Sequence, residues 1–387
     1  MLKIFGTHDD NTVKQMWTCL GVGSAVGGVL CADGHLGYAQ PVGGVIAYEK
    51  HISVSGVGFD IGCGNCAARL DFTMKELRPR LDQIARDIQR HISFGIGRSN
   101  PEAVEHPLFD SAVWHEVYDD LDKTPRIRVK NADELRDVAR NQLGTVGAGN
   151  HYVDLFEDEE GYAWIGVHFG SRGLGHKTAT HFLSRAGGKD GMMVAPTVIE
   201  SDSDLGARYL AAMELAGEYA MAGREWVVDR IRRLLAAKVT DKVHNHHNYA
   251  WRERHGDADY WVVRKGATPS FPGQRGFVGG SMGDDAVIIE GVETPENAEA
   301  FYSSIHGAGR LFGRNVAKKT FTREQMDEWL RQKGVILHGG DLDESPMAYR
   351  RLDDVLRSHE GTIKVLHRLR PVMVLMAGKD VRDPYKD

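Results

Sequence analysis

Cysteine is scarce: four residues, Cys19, Cys31, Cys63 and Cys66, in a chain of 387. That is too few for a disulfide scaffold. No second C-x-x-C exists to complete a four-cysteine zinc site with Cys63-x-x-Cys66. No apolar run approaches the length of a membrane span. The first residues, Met1-Leu2-Lys3-Ile4-Phe5, lack a signal-peptide pattern. These absences point to a reducing, cytoplasmic setting away from membranes. Positive charge is short as well. A formal charge of −6 argues against bulk attraction to nucleic acid, though not against a local basic groove. No repeat, low-complexity tract or linker divides the sequence, so one domain over 1–387 is expected.

What is present is an ordinary globular composition, 42% hydrophobic and 26% charged, enough to bury a sizeable core. Within it stands Gly58-Phe59-Asp60-Ile61-Gly62-Cys63-Gly64-Asn65-Cys66. The glycines permit a tight turn, so Asp60 and Cys63 can point at one centre. A carboxylate beside a thiol suits a transition metal. The alternative is a buried turn with an inert cysteine. We read Cys63 as a ligand and Cys66 as a packing residue.

Periodicity predicts a helix over 74–92, with Leu77, Leu81, Ile84, Ile88 and Ile92 on one face and Pro79 in its first turns. Residues 95–128, rich in Pro, Asp and Gly, read as an irregular excursion or lid. Asn131 caps a short helix through Gln142. The longest helix is expected over 204–239, capped by Ser203 and bent or broken at Gly217 and Gly223. A capping box, Thr322 to Gln325, opens a helix ending near Gly334. Strands are expected at 41–48, 67–71, 152–156, 164–169, 260–265 and 286–290. In the tail, runs at 363–366 and 372–376 flank another short helix. The fold class is therefore α+β, a single compact domain of mixed sheets flanked by helices.

Several polar turns carry chemistry. Asp33-Gly34-His35-Leu36-Gly37 taken alone is a hydrogen-bonded loop. Gly170-Ser171-Arg172-Gly173-Leu174-Gly175-His176-Lys177-Thr178 misses the Walker spacing by one residue, so it is no P-loop. Its glycines and Arg172 still suit a phosphate. Val243-His244-Asn245-His246-His247-Asn248 is a polar loop on its own. In the company of Asp60 and Cys63 it becomes a source of metal ligands. Asp60, Cys63, His151, His168 and His247 all fall on turns or strand ends, as in a binuclear site. His306, beside Gly307, Gly309 and Arg310, has the setting of an imidazole that attacks phosphorus. Metals would neutralise the phosphate charge.

These motifs resemble the RtcB-type RNA-splicing ligases over nearly the whole chain. The carriers are Asp33 to Gly37, Gly58 to Gly64, Gly147-Ala148-Gly149-Asn150-His151 and His168 to His176. His246-His247-Asn248-Tyr249, Arg264-Lys265-Gly266-Ala267, Gly280-Ser281-Met282-Gly283 and His306-Gly307-Ala308-Gly309-Arg310 complete the set, in the family's order. The resemblance implies a fold peculiar to that family and a ligase dependent on Mn²⁺ and GTP. Asp60, Cys63, His151, His168 and His247 would hold two Mn²⁺ ions, with the Cys63 thiolate shared. His306 would take GMP from GTP and pass it to an RNA 3′-phosphate. A 5′-hydroxyl would then displace it, and a 2′,3′-cyclic phosphate would first be hydrolysed. Asn150, Asp154, Ser281, Ala308 and Tyr349 would contact the guanylate, and Arg172, Lys265 and Arg310 the phosphates. The implied substrate is RNA with those ends, in tRNA splicing or RNA repair; the need for an activating protein is left open.

Two departures stand out. The family usually has Glu where this chain has Asp154. Its tail usually carries a Val-Lys-Gly-like lysine that touches guanine. Here the tail reads Val374-Leu375-Met376-Ala377-Gly378, and the nearest lysine is Lys379. The altered tail motivates a rival reading, a metal-dependent phosphodiesterase of RNA ends without nucleotide transfer. A further rival is a non-catalytic RNA-binding homologue.

Overall fold

The computed structural model describes residues 1–125 and 127–378. Lys379 lies outside the described residues. Helices and sheets mix along the chain in an α+β arrangement. The larger sheet runs in the order Arg275–Val278, Ala286–Gly291, Ile363–Met376, Tyr152–Glu157, Tyr162–Phe169, Gly64–Thr73 and Val239–His246. Neighbours along this path are antiparallel. Ile336–His338 adds a short parallel strand beside Ile363–Met376. The two ends of the path come together: Asn245 Oδ1 accepts from the Phe277 N–H at 2.9 Å, and Arg275 pairs with Asp241. The sheet is thus nearly closed.

This order places the chemistry. Among the four adjacent strands from Tyr152–Glu157 to Val239–His246, directions alternate. The starts of two and the ends of two therefore fall at one end of the sheet. His151 precedes the first, His168 is the last but one residue of the second, Cys63 precedes the third and His247 follows the fourth. Register confirms the meeting: Tyr152 lies opposite His168, Asn65 opposite His168, and Gly64 opposite His246. A second, five-stranded sheet contains Ala25–His35 and Ala258–Lys265. It brings Asp33 and Lys265 to the same place.

Behind the larger sheet runs the helix Asp204–Leu235. Ser203 caps it by accepting from the Gly206 N–H, and it ends at Ala236 in the left-handed region. It stops four residues before the expected end because Val239 already begins a strand. Gly217 and Gly223 do not break it. A Cβ on Gly217 would crowd the Tyr249 ring, and one on Gly62 would lie 3.0 Å from the Gly217 backbone. These glycines let the helix press against the Cys63 turn.

Three other expectations need correction. The helix expected over 74–92 is split: Met74–Leu77, a 3-10 turn Arg78–Arg80, then Leu81–His91. Pro79 sits inside that turn, lacking the N–H an α-helix needs and crowding Arg78. The described residues of 95–128 form no lid. Phe109, Trp114, Val117, Tyr118 and Leu121 are fully buried, with Trp114 Nε1 donating to the Leu108 carbonyl. Exposing these side chains costs on the order of 10 kcal/mol, as much as a domain's whole stability. The tail holds no helix between its two runs; Ile363–Met376 is one strand with a bulge near Pro371, and the short helix Leu352–Arg357 precedes it. Among the described residues, no helix is long and apolar enough to cross a membrane.

Candidate active site

The histidine-rich stretch runs from the end of one strand, Val239–His246, to the start of the next, Asn248–His255, with His247 between them, and that sorts its imidazoles. Neighbouring residues of an extended chain face opposite ways. His244 and His246 turn toward Arg224 on the helix Asp204–Leu235, whereas His247 turns into a cavity. That cavity, of about 740 Å³, is lined by Asp60, Cys63, His151, His168, His247 and His306. Asn150, Asp154, Lys265, Ser281, Ala308, Arg310 and Tyr349 also line it. Arg172 does not. It lies at φ +55° in the first helical position of Arg172–Arg185, with Nε donating to Thr145 Oγ1 and Nη2 to the Gly95 carbonyl. A Cβ on Gly147 would overlap both Arg172 and the His151 ring. Arg172 thus braces the turn that carries His151.

The candidate metal ligands form two overlapping triads, Asp60/Cys63/His151 and Cys63/His168/His247. Within each, the ligand atoms lie within 4.8 Å of one another. Cys63 Sγ is 3.4 Å from His168 Nε2 and 3.8 Å from His151 Nε2. His168 Nε2 is 3.4 Å from His247 Nε2, and His151 Nε2 is 3.1 Å from Asp60 Oδ2. His168 Nδ1–H donates to the Asn150 carbonyl at 2.9 Å, which leaves Nε2 bare toward Cys63. Gly170 is required here, since a Cβ would fill the space of the Asp60 carboxylate.

The electrostatics agree with this use. Burial, then the neighbouring His151, pushes His168 down to about 3, and burial with His306 pushes His247 well below the usual range. Both rings are therefore neutral and can donate a lone pair. Burial raises Asp60, but His151, Cys63 and Arg172 bring it down to about 2. Burial and Asp60 push the Cys63 thiol far up. A cation in the cluster would reverse that, because a coordinated thiol loses its proton. The donor set of one thiol, three imidazoles and one carboxylate fits transition-metal ions. Cys66, three residues on, is packed in an apolar cluster with Val153, Ile165 and Val167.

His306 follows the strand Ser303–Ile305 and stacks edge-on against His247, ring centroids 4.9 Å apart. Its Nδ1 lies 2.6 Å from Asp33 Oδ2. The same oxygen accepts from the backbone N–H of His306 at 3.0 Å and of Gly307 at 3.2 Å. Asp33 is fully buried in the strand Ala25–His35. Burial raises its pKa, but His306 and the backbone N–H more than offset this, so the carboxyl lies below its ordinary value. An ionised Asp33 holds the Nδ1 side of His306 and leaves Nε2 for chemistry. Asp33 escaped the sequence reading as a site residue. The signal was Gly309, at φ +77°, where a Cβ would overlap the Asp33 carbonyl.

Around this pair sit the other polar residues. Arg310 Nη1 donates to Tyr349 Oη at 2.7 Å and to Glu344 Oε2 at 3.1 Å, and Tyr349 also donates to Glu344. Glu344, which also meets Arg314 at 3.3 Å, was missed because an acidic residue in a polar stretch reads as solvated surface. Lys265 Nζ donates to the Tyr38 carbonyl at 2.5 Å, and Ser281 Oγ to Asp284 at 2.9 Å. Asp154 is buried, its pKa is pushed far up by burial, and its Oδ1 has no hydrogen-bond partner among the described residues.

The comparisons fit this geometry. The family model described as tRNA-splicing ligase RtcB matches residues 18–377. The tRNA-splicing ligase RtcB of Thermococcus kodakarensis is 31% identical, over 89% of this chain and 86% of that protein. The RNA-splicing ligase RtcB of Escherichia coli K12 is 31% identical over 88% of each chain. The Nanoarchaeum equitans tRNA-splicing ligase RtcB is 30% identical, over 90% of this chain and 87% of its own. With its cysteine, histidines and glycine turns gathered at one sheet end, the chain belongs to the RtcB family.

Proposed function

We propose that this chain is an RNA ligase, one catalytic unit spanning 1–387, that joins a 3′-phosphate or 2′,3′-cyclic phosphate end to a 5′-hydroxyl. GTP and two Mn²⁺ ions are its cofactors and the cytoplasm its setting. The observation that carries the reading is the placement of His306, held by Asp33 on Nδ1 and set against His247. His306 Nε2 attacks the α-phosphorus of GTP; a P–N bond forms and pyrophosphate leaves. An RNA 3′-phosphate oxygen then attacks the same phosphorus, the P–N bond breaks, and the RNA end becomes a mixed anhydride. The 5′-hydroxyl oxygen attacks the RNA 3′-phosphorus and GMP leaves. A cyclic phosphate is first opened by water to a 3′-phosphate. Lys265 and Arg310 supply positive charge to the phosphates, and Asn150, Asp154, Ser281, Ala308 and Tyr349 line the guanylate's place. The metals, bound by Asp60, Cys63, His151, His168 and His247, would neutralise phosphate charge.

The direct test is incubation with Mn²⁺ and GTP labelled at the α-phosphate, with ATP in parallel. Acid-labile label on the protein from GTP is expected. Label from ATP instead would mean that Asp154 and the altered tail have changed the base. No label from either, in metal-loaded protein, would move the reading to the phosphodiesterase, whose signature is loss of a 2′,3′-cyclic phosphate from RNA.

Metal choice gives a second prediction. A thiolate with imidazoles binds Zn²⁺ more tightly than Mn²⁺. Zn²⁺ is therefore expected to occupy the cluster and inhibit turnover. Full ligation with stoichiometric Zn²⁺ and no Mn²⁺ refutes this.

A further inference from the structure

Arg224 is fully buried on the helix Asp204–Leu235, directly behind the metal cluster. Its Nη1 donates to the Gly62 carbonyl at 2.9 Å and to the Phe169 carbonyl at 2.6 Å. Its Nε donates to His244 Nε2 at 2.9 Å. Its Nη2 lies 3.0 Å from His246 Nδ1, which is also 2.8 Å from the Gly62 carbonyl; the ring tautomer chooses between them. Met221 Sδ, at 3.6 Å from Nη2, completes the shell. No carboxylate is among these partners.

Three of these partners adjoin a ligand. Gly62 precedes Cys63, Phe169 follows His168, and His246 precedes His247. Three chain segments that meet only in the fold are therefore tied to one planar group. The two carbonyls belong to different segments and share one nitrogen, which fixes their separation. A guanidinium has five donors in a rigid fork, and a lysine cannot reproduce that geometry. Gly217, about two turns earlier on the same face of the helix, lets the helix come close enough for the fork to reach.

We infer that Arg224 is a positioning residue for the metal cluster, setting the mutual placement of Cys63, His168 and His247 through the residues beside them. The inference rests on the metal-site reading above. It concerns a residue that touches neither ligand atoms nor substrate, so its mark is on metal affinity and geometry.

The test uses Co²⁺ as probe, because a Co²⁺–thiolate bond gives a charge-transfer band that reports Cys63 directly. Arg224→Lys is expected to keep its near-UV dichroism, bind Co²⁺ about 10–100-fold more weakly, and lose or shift that band. Arg208→Lys, which alters a distant pairing with Asp119 and Asp120, is the structural control and should leave the band unchanged. His244→Leu strips the acceptor from Arg224 Nε and should weaken Co²⁺ binding, while His244→Gln, which restores an acceptor, should recover it. A folded Arg224→Lys with wild-type affinity and spectrum overturns the inference. Should that variant not fold, a folded His244→Leu with wild-type affinity overturns it instead. A wild-type chain that binds no Co²⁺ removes the metal-site reading, and this inference falls with it; wild-type binding with unaltered variants removes this inference alone.

Discussion

His306→Ala is expected to abolish covalent labelling from GTP, a fall of about 10⁴-fold or more, while Mn²⁺ content stays at the wild-type level. The first half follows from the removal of the one imidazole lone pair, among the described histidines lining the cavity, that has a buried carboxylate behind it and no place in either triad. His168 and His247 are committed to the Cys63 cluster, with their Nε2 atoms 3.4 Å apart. His35 turns its Nδ1 to the Asp33 carbonyl at 3.0 Å. None of them has the buried carboxylate that His306 has behind it. The second half follows because His306 stands outside both triads. Intact-mass measurement reads the adduct and elemental analysis reads the metal. An adduct that persists in His306→Ala means another residue is the nucleophile. Loss of metal in the same variant would make His306 part of the cluster.

Much of this site could be read from the sequence because its residues announce themselves in glycine-flanked turns. Asp60 with Cys63, His151, His168 and His306 each sit beside glycines that the close-packed backbone demands. The residues that support them also adjoin glycines, Gly34 and Gly223, but those glycines do not reveal the distant partner each one meets. Asp33 reads as the polar tip of a turn, since nothing local says that a distant strand will bury it against His306. Arg224 reads as a charge on an ordinary helix, and only the register of three other strands turns it inward. The same limit explains the fold errors. Apolar spacing at 74–92 is helical on both sides of Pro79, so periodicity runs through a break that the proline makes. Residues 95–128 look irregular because short helical turns have no period of their own; what orders them is the burial of Trp114 and its neighbours. Conversely, capping is local, and Asn131, Ser203 and Thr322 cap helices where their side chains suggest.

Cys63→Ala is expected to strip the cluster of both ions, lowering metal affinity by more than about 100-fold and ending ligation. The magnitude has a floor. Loss of a group that only orients a ligand costs about 10–100-fold in affinity, and in the proposed site Cys63 is a ligand itself. It is also the one residue common to both triads. Without Sγ, Asp60 and His151 are left as one pair, and His168 and His247 as another. Neither pair holds a divalent ion well against water. The fold should survive, because the change removes one sulfur from a turn that Gly62 and Arg224 already hold in place. Cys66→Ala is the matched control. The same atom is lost three residues away, from an apolar cluster, so a modest drop in thermal midpoint with unchanged metal content is expected. Metal content measured after dialysis separates the outcomes. One ion retained in Cys63→Ala would assign the thiolate to a single metal. Two ions retained would place the shared ligand elsewhere, and the thiol would then be a packing residue like its neighbour.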